Sequence, residues 1–365
     1  MATMFATFAV SGAFLPLFLS DRGLSAEEIG AALALTSLVR VFSGPCWGVL
    51  ADRLGRRRSV MAASAAGAAL AAACLIPARG FVMFALVIAV QGAAASAMSP
   101  LIDSLALALA RAGRMQYGPP RAAGSAAFMR ASALGGQVLA LAGTGIVPVL
   151  LTGGFLLAAA IALVLPEPER PPPAARRFTG ALSVLRQPAF RLVLLSSALV
   201  QGSHAAFYAF APLHWRAQGI GDGTIGLLIA IGIVAEVALF LWGRRLIEYL
   251  GPAGLTLGAA GAGVLRWSVT AITGDLAILF PIQALHAVTF AFQHQSAMLM
   301  LQREIPPERA ATAQALYNAL GMGAPTGLMV FVSGLLYARI NGHVFFVMAA
   351  LCLAALAVAP RLGRR

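Results

Sequence analysis

Charge is scarce in this chain. Of its 365 residues only 11% are charged, lysine is absent, and 13 acids face 26 arginines. With 60% hydrophobic residues and a mean hydropathy of +0.85, no polar shell could enclose so much apolar surface, which excludes a water-soluble globular protein. Cysteine is equally sparse. Cys46, Cys74 and Cys352 lie in apolar segments without paired spacing, so neither a disulfide framework nor a zinc site is indicated. Alternating ten-residue patterning is missing, which excludes a membrane barrel and leaves helices as the spanning structure. There is also no basic stripe: the arginines cluster in short groups between apolar segments, so the net charge of +13 reads as membrane topology and not as a nucleic-acid surface.

What the sequence does have is apolar length. A helix needs about 20 residues to cross a bilayer, and segments of that order recur at 2–20, 29–50, 60–77, 81–109, 121–143, 145–165, 190–213, 223–243, 253–273, 276–301, 310–338 and 343–359. The expectation is an all-α membrane protein of twelve transmembrane helices. The first run has no basic lead and further spans follow it, so a cleaved signal peptide is not expected; its abrupt start after Met1 leaves a beginning further upstream open. The tract 166–189, with Pro171, Pro172, Pro173, Arg176 and Arg177, cannot pack as a span. It is read as a cytoplasmic loop between an N-terminal half, 1–165, and a C-terminal half, 190–365. With both termini cytoplasmic, 19 of the 26 arginines fall on inner connections and tails and only Arg22, Arg79, Arg216 and Arg339 on outer ones, as the positive-inside rule requires.

Sliding the chain by 196 residues superposes the two halves without a gap. Pro16 falls on Pro212, Gly23 on Gly219, Ile29 on Ile225, Gly30 on Gly226, Asp52 on Glu248, Leu54 on Leu250 and Gly55 on Gly251. Matched prolines, glycines and acids imply duplication, hence two pseudo-symmetric six-helix halves. The loop after span 2 reads Gly48-Val49-Leu50-Ala51-Asp52-Arg53-Leu54-Gly55-Arg56-Arg57-Arg58, and here the chain resembles the major facilitator superfamily, whose signature loop has this form. The resemblance implies a gating loop built on Gly48, Asp52, Arg53, Gly55 and Arg56. The alternative is a solvated basic loop that only sets topology.

Ionisable residues inside spans cost about 2.5 to 3.5 kcal/mol each on insertion scales and mark a pathway by default. Arg40, Asp103, Arg130, Glu236 and Arg266 qualify. The repeat sets Arg40 opposite Glu236, which suggests a central ion pair. Arg130 and Arg266 could instead snorkel, and Asp103 could serve only as a structural partner of Arg40. Polar faces add Gln201, His204 and Tyr208 on span 7, Gln283, His286, Gln293 and His294 on span 10, and Gln314, Tyr317 and Asn318 on span 11. Together they predict a hydrated cavity, although single polar residues more often tie helices together. The spacing of His286 and His294 is no metal-ligand signature. No metal or cofactor is expected.

The blocks Val200-Gln201-Gly202-Ser203-His204-Ala205-Ala206-Phe207-Tyr208, Gly232-Ile233-Val234-Ala235-Glu236-Val237 and Val264-Leu265-Arg266-Trp267 resemble the phenylpropionate permease family. First-half agreement runs through Phe14-Leu15-Pro16, Val39-Arg40-Val41-Phe42, Ser99 to Asp103, and Tyr117-Gly118 with Arg121, Gly124 and Ser125. The resemblance implies a proton symporter of the bacterial inner membrane, more distantly similar to lactose permease. It puts proton coupling on Glu236, Arg266, His286 and His294. Substrate binding is expected at Arg40, Asp103, Gln201, His204, Tyr208, Gln283, Tyr317 and Asn318. Ala123 and Arg130 depart from the family pattern, so the ligand can differ. A small organic solute, an aromatic or other carboxylate, is expected, moved by alternating access in a monomer driven by the proton gradient. Proton-antiport efflux of apolar compounds, and sugar or nucleoside symport, are the alternatives. An enzyme is not indicated, since no nucleophile constellation or nucleotide loop is present.

Overall fold

The computed structural model of the chain describes residues 1–166 and 181–363. The proline and arginine clusters at 171–173 and 176–177 lie outside the described residues. Helices α1 (Ala2–Asp21), α2 (Ala26–Leu54), α3 (Arg57–Ala73), α4 (Gly80–Ala95), α5 (Met98–Arg111), α6 (Gly118–Ala142) and α7 (Val147–Val164) precede the central tract. After it come α8 (Ala181–Leu185), α9 (Pro188–Gly202), α10 (Ala205–Ala217), α11 (Asp222–Trp242), α12 (Arg244–Ile272) and α13 (Leu276–Ala284). A π-helical stretch, Ala287–Phe292, leads into α14 (Gln293–Glu304); α15 (Ala310–Leu316) passes through a second π-helical stretch, Tyr317–Gly323, into α16 (Ala324–Ile340), and α17 (Val344–Val358) follows.

Among the described residues, nine helical stretches are both long and apolar enough to cross a membrane. The twelve expected spans fit this pattern. One stretch, Thr312–Gly363, holds two spans that meet where Asn341 turns to φ 49°. Two further spans fall short for local reasons: Arg57–Ala73 is only 17 residues long, and Gly118–Ala142 carries Arg121 and Arg130. Span 4 is made of α4 and α5, and span 7 of α9 and α10.

Local chemistry sets the helix ends. Ser25 accepts from the Glu28 amide while the Glu28 carboxylate accepts from the Ser25 amide, a capping box that starts α2. Gly55 closes α2 in the left-handed region at φ 62° and donates its N–H to the Ala51 carbonyl. Its repeat partner Gly251 breaks α12 at φ 59°. The pair Gly23 and Gly219 does likewise, at φ 86° and 82°, while Pro16 and Pro212 both sit inside helices. The two acids of the repeated loop behave alike as well. Asp52 pairs with Arg57 at 3.6 Å, and Glu248 with Arg244 at 2.8 Å, where the carboxylate raises the exposed guanidinium's pKa.

Contacts divide the chain into two units, Met1–Ala174 with Gly219–Ala230, and Ala175–Gln218 with Ile231–Arg365. The start of α11 belongs to the first unit because Gly136 of α6 and Gly226 nearly touch: a Cβ on either would meet the Asp222 or Ser132 carbonyl oxygen. In unit 1 α3, whose buried residues include Ala65, Ala69 and Ala72, packs on α7 and α4, and α1 packs on α6 and α7. Such small-residue contacts let backbones approach where lipid gives no hydrophobic drive. Unit 2 repeats the scheme: α12 packs on α17, α10 on α16 and α9 on α17. Its core joins Val200, Leu255, Ala259, Ala260, Phe292 and Ala355.

A Cβ in the left-handed conformation costs about 1–2 kcal/mol. Gly55→Ala and Gly251→Ala should each lower thermal stability in detergent by that order. Gly48→Ala, at a helical position with open space around it, should not.

Candidate functional site

The buried charge of unit 2 is organised around Arg266. Its side chain is fully buried, and its hydrogen-bond partners among the described residues are Gln283, His286 and Thr289. Nε and Nη2 donate to Gln283 Oε1 at 3.3 and 2.9 Å, while Nη1 donates to His286 Nδ1 and Thr289 Oγ1, each at 3.1 Å. The guanidinium carbon lies 4.5 Å from the Phe207 ring centroid and 4.4 Å from that of Trp267. Among the described residues no carboxylate forms an ion pair with it. Cation–π contacts are worth about 2 kcal/mol when desolvated and hydrogen bonds from a charged group about 1.5–3 each, so together they offset the cost of a charge at membrane depth. Snorkelling is therefore not what Arg266 does.

His286 passes this arrangement on to Glu236, since its Nε2 stands 3.4 Å from Glu236 Oε2. The carboxyl side chain is partly buried, at 19% exposure. Gly232, one turn before Glu236 on α11, makes the approach possible: a Cβ there would lie 3.0 Å from the His286 Cβ. His204 closes the group from the α9–α10 junction. Its Nδ1 is 3.0 Å from the Val200 carbonyl and its Nε2 3.1 Å from Thr289 Oγ1; its ring centroid is 5.5 Å from that of His286. Behind it Trp267 Nε1 donates to Ser203 Oγ at 2.9 Å, and the Cys352 thiol donates to the same oxygen at 3.3 Å.

The structure thus gathers Glu236, Arg266, His286, His204 and Gln283 into one cluster. Gln201 and His204 do not line a cavity as expected from the span 7 face: both are buried, and Gln201 Nε2 donates to the Phe290 carbonyl at 3.3 Å, inside the π-helical stretch. Gln283 is likewise engaged on both sides, its Nε2 donating to Thr270. Tyr208 is the exposed member of that face. His294 stands one turn beyond Phe290, its ring 6.4 Å from that of Phe290 and 6.2 Å from that of Tyr317. Tyr317 is a correction to the cavity reading, because it is fully buried in an apolar cluster with Phe190, Val193, Ala297 and Met300. Asn318 is exposed and accepts from Gln314 at 3.3 Å.

Sequence reasoning missed Thr289, Gly232, Phe207 and Trp267. Thr289 is one of many span hydroxyls, and nothing in its neighbourhood in sequence singles it out; Trp267, adjacent to Arg266, could have been found as a cation–π partner.

Unit 1 contributes different chemistry. Arg40 lies midway along α2 with its side chain exposed, and among the described residues it makes no hydrogen bond or ion pair. It does not pair with Asp103, whose Oδ1 accepts from the Tyr117 hydroxyl at 3.1 Å. Arg121 stacks over Phe5 at 4.6 Å and donates to Ser125. In the loop expected from sequence to gate, Gly48 lies within α2, Asp52 pairs with Arg57, and Gly55 supplies the turn.

Two duplicated helical units carrying a buried polar cluster define a transporter of the major facilitator superfamily. The chain belongs to the MFS_1-like family, whose profile matches residues 2–348. It is 32% identical over 272 residues to the probable 3-phenylpropionic acid transporter of Escherichia coli (strain K12), covering 73% of this chain and 70% of that protein. Maltose permease of Geobacillus stearothermophilus is 26% identical over 95% of this chain and 89% of its own. Among solved structures, the nucleoside transporter NupG superposes with a TM-score of 0.85 at 18% identity, covering 100% of this chain and 97% of that one. A bacterial homolog of the human lysosomal transporter Spinster, inward-facing and unoccupied, gives 0.78 at 14% identity over 100% and 94%.

Overpacking a close helix contact costs about 1–3 kcal/mol. Gly232→Val should lower thermal stability by that order and Gly232→Ala by less, read by unfolding in detergent.

Proposed function

We propose that the chain is a proton-coupled symporter of a small organic carboxylate, with an aromatic acid as the first candidate. The observation that carries this reading is the 3.4 Å approach of His286 to Glu236, on a network whose one cation is already satisfied by neutral groups. A carboxyl at membrane depth is held there by an imidazole, and a hydrogen bond that favours one protonation form over the other governs its exchange of a proton. Glu236 is the proton carrier in this reading. Arg40 is the candidate receptor for the substrate carboxylate: guanidinium matches carboxylate in bidentate geometry, and no group of its own unit occupies it. Tyr208 offers an exposed aromatic face. The name of the Escherichia coli relative supports the substrate class.

The transporter works as a monomer in the bacterial inner membrane, with both termini cytoplasmic and the proton gradient as its energy source. No cofactor takes part. Sugar or nucleoside symport is the second reading, favoured by the NupG and maltose permease similarities. The arginine distribution supports the orientation, and the unoccupied Arg40 supports the carboxylate over a neutral solute.

Uptake into proteoliposomes under an imposed pH gradient tests this, with 3-phenylpropionate, uridine and maltose compared. Phenylpropionate should accumulate with an alkaline interior. Glu236→Gln should cut gradient-driven uptake at least tenfold while exchange of substrate across the membrane persists. Uptake by Glu236→Gln equal to wild type would overturn the coupling assignment. Losing a charged hydrogen bond costs about 1.5–3 kcal/mol, so Arg40→Gln should raise the half-saturating concentration of a carboxylate about tenfold or more.

A further inference from the structure

Arg266 stands at the head of two directional hydrogen-bond chains. A guanidinium has donors only. The 3.1 Å contact from Nη1 therefore makes His286 Nδ1 an acceptor, and in a neutral imidazole the proton then sits on Nε2, the atom 3.4 Å from Glu236 Oε2. The second chain runs the opposite way through His204. The Val200 carbonyl can only accept, so His204 Nδ1 carries the proton and Nε2 accepts from the Thr289 hydroxyl, whose oxygen in turn accepts from Arg266. Were the Thr289 proton turned to the His286 carbonyl, 3.2 Å away, the Thr289 oxygen and His204 Nε2 would meet lone pair to lone pair.

Resting on the symport reading, we propose that Arg266 is a positioning residue that locks His286 in the Nε2–H tautomer, so that His286 acts as a fixed neutral donor to Glu236 and never carries the transported proton. A proton added at Nδ1 would point at the guanidinium and break its hydrogen bond. The ionisable groups around His286 agree: Arg266 from α12, Glu236 from α11 and His204 from the α9–α10 junction, the last stacked on Tyr208 of α10, with Phe207 and Phe290 as the apolar walls. Glu236 is the one acid among them. Coupling thus needs a polar group at position 286 that accepts on one side and donates on the other, and it does not need an imidazole.

A glutamine has that property, since its carbonyl can accept from Arg266 and its amide can donate to Glu236. His286→Gln should keep at least a third of wild-type proton-driven phenylpropionate uptake with an unchanged pH profile, whereas His286→Phe should lose more than tenfold. In parallel, nitrogen NMR of the histidine-labelled wild-type protein should show His286 neutral and protonated at Nε2 from pH 5.5 to 8.5. Arg266→Gln should release it, giving mixed tautomers or a titration within that range. A doubly protonated His286 in the wild type would overturn the proposal. So would a folded His286→Gln protein that exchanges substrate but has lost gradient-driven uptake, the pattern expected of Glu236→Gln. Wild-type uptake indifferent to the pH gradient would sink the symport reading, and the tautomer spectra would still decide the role of Arg266.

Discussion

The arrangement of unit 2 depends on keeping one guanidinium at membrane depth without an acid. Arg266 is buried against two aromatic faces and three neutral acceptors, and each fixes something else. Phe207 and Trp267 hold α10 against α12, Gln283 ties the start of span 10 to α12, and His286 and Thr289 fix the turn where that span widens. Glu236 inherits its position from these contacts. An Arg–Glu ion pair would have neutralised both groups and frozen them together; here the His286 ring stands between Arg266 and Glu236 instead.

Much of the architecture was legible because it is written in backbone constraints. Gly23 and Gly219, or Gly55 and Gly251, are matched in sequence because both members of each pair adopt positive φ, a demand that tolerates few substitutes. Apolar length marked the spans, and it blurred where length or polarity strayed, as in the short α3 and the arginine-bearing α6. The division into units was less legible. The contact of Gly136 with Gly226 is formed between residues far apart in the chain, and spacing alone does not reveal it.

The cluster was legible by residue type and not by exposure. Glu236, Arg266 and His286 stood out because charge and imidazole are rare in spans. Whether Gln201 or Tyr317 faces water or protein depends on which side of a helix meets a neighbour, and a polar side chain reads the same in either case. Gln201 meets a carbonyl and Tyr317 an apolar cluster, whereas Tyr208, on the same face as Gln201, is exposed. Helical periodicity groups residues without naming the partner. Thr289 was invisible for a related reason, since its role comes from Arg266 and His204, two groups on other parts of the chain.

The widened turn at Ala287–Phe292 has a consequence for how this segment can vary. A π-helical turn accommodates one residue more than the α-helix it interrupts, and here it presents the Phe290 carbonyl to Gln201. That acceptor belongs to the main chain, so it survives any side-chain replacement at position 290. The tie between spans 7 and 10 is guarded by segment length and not by residue identity. Drift in composition is tolerated there, while a single inserted or deleted residue would turn His286 away from Arg266 and Glu236 together.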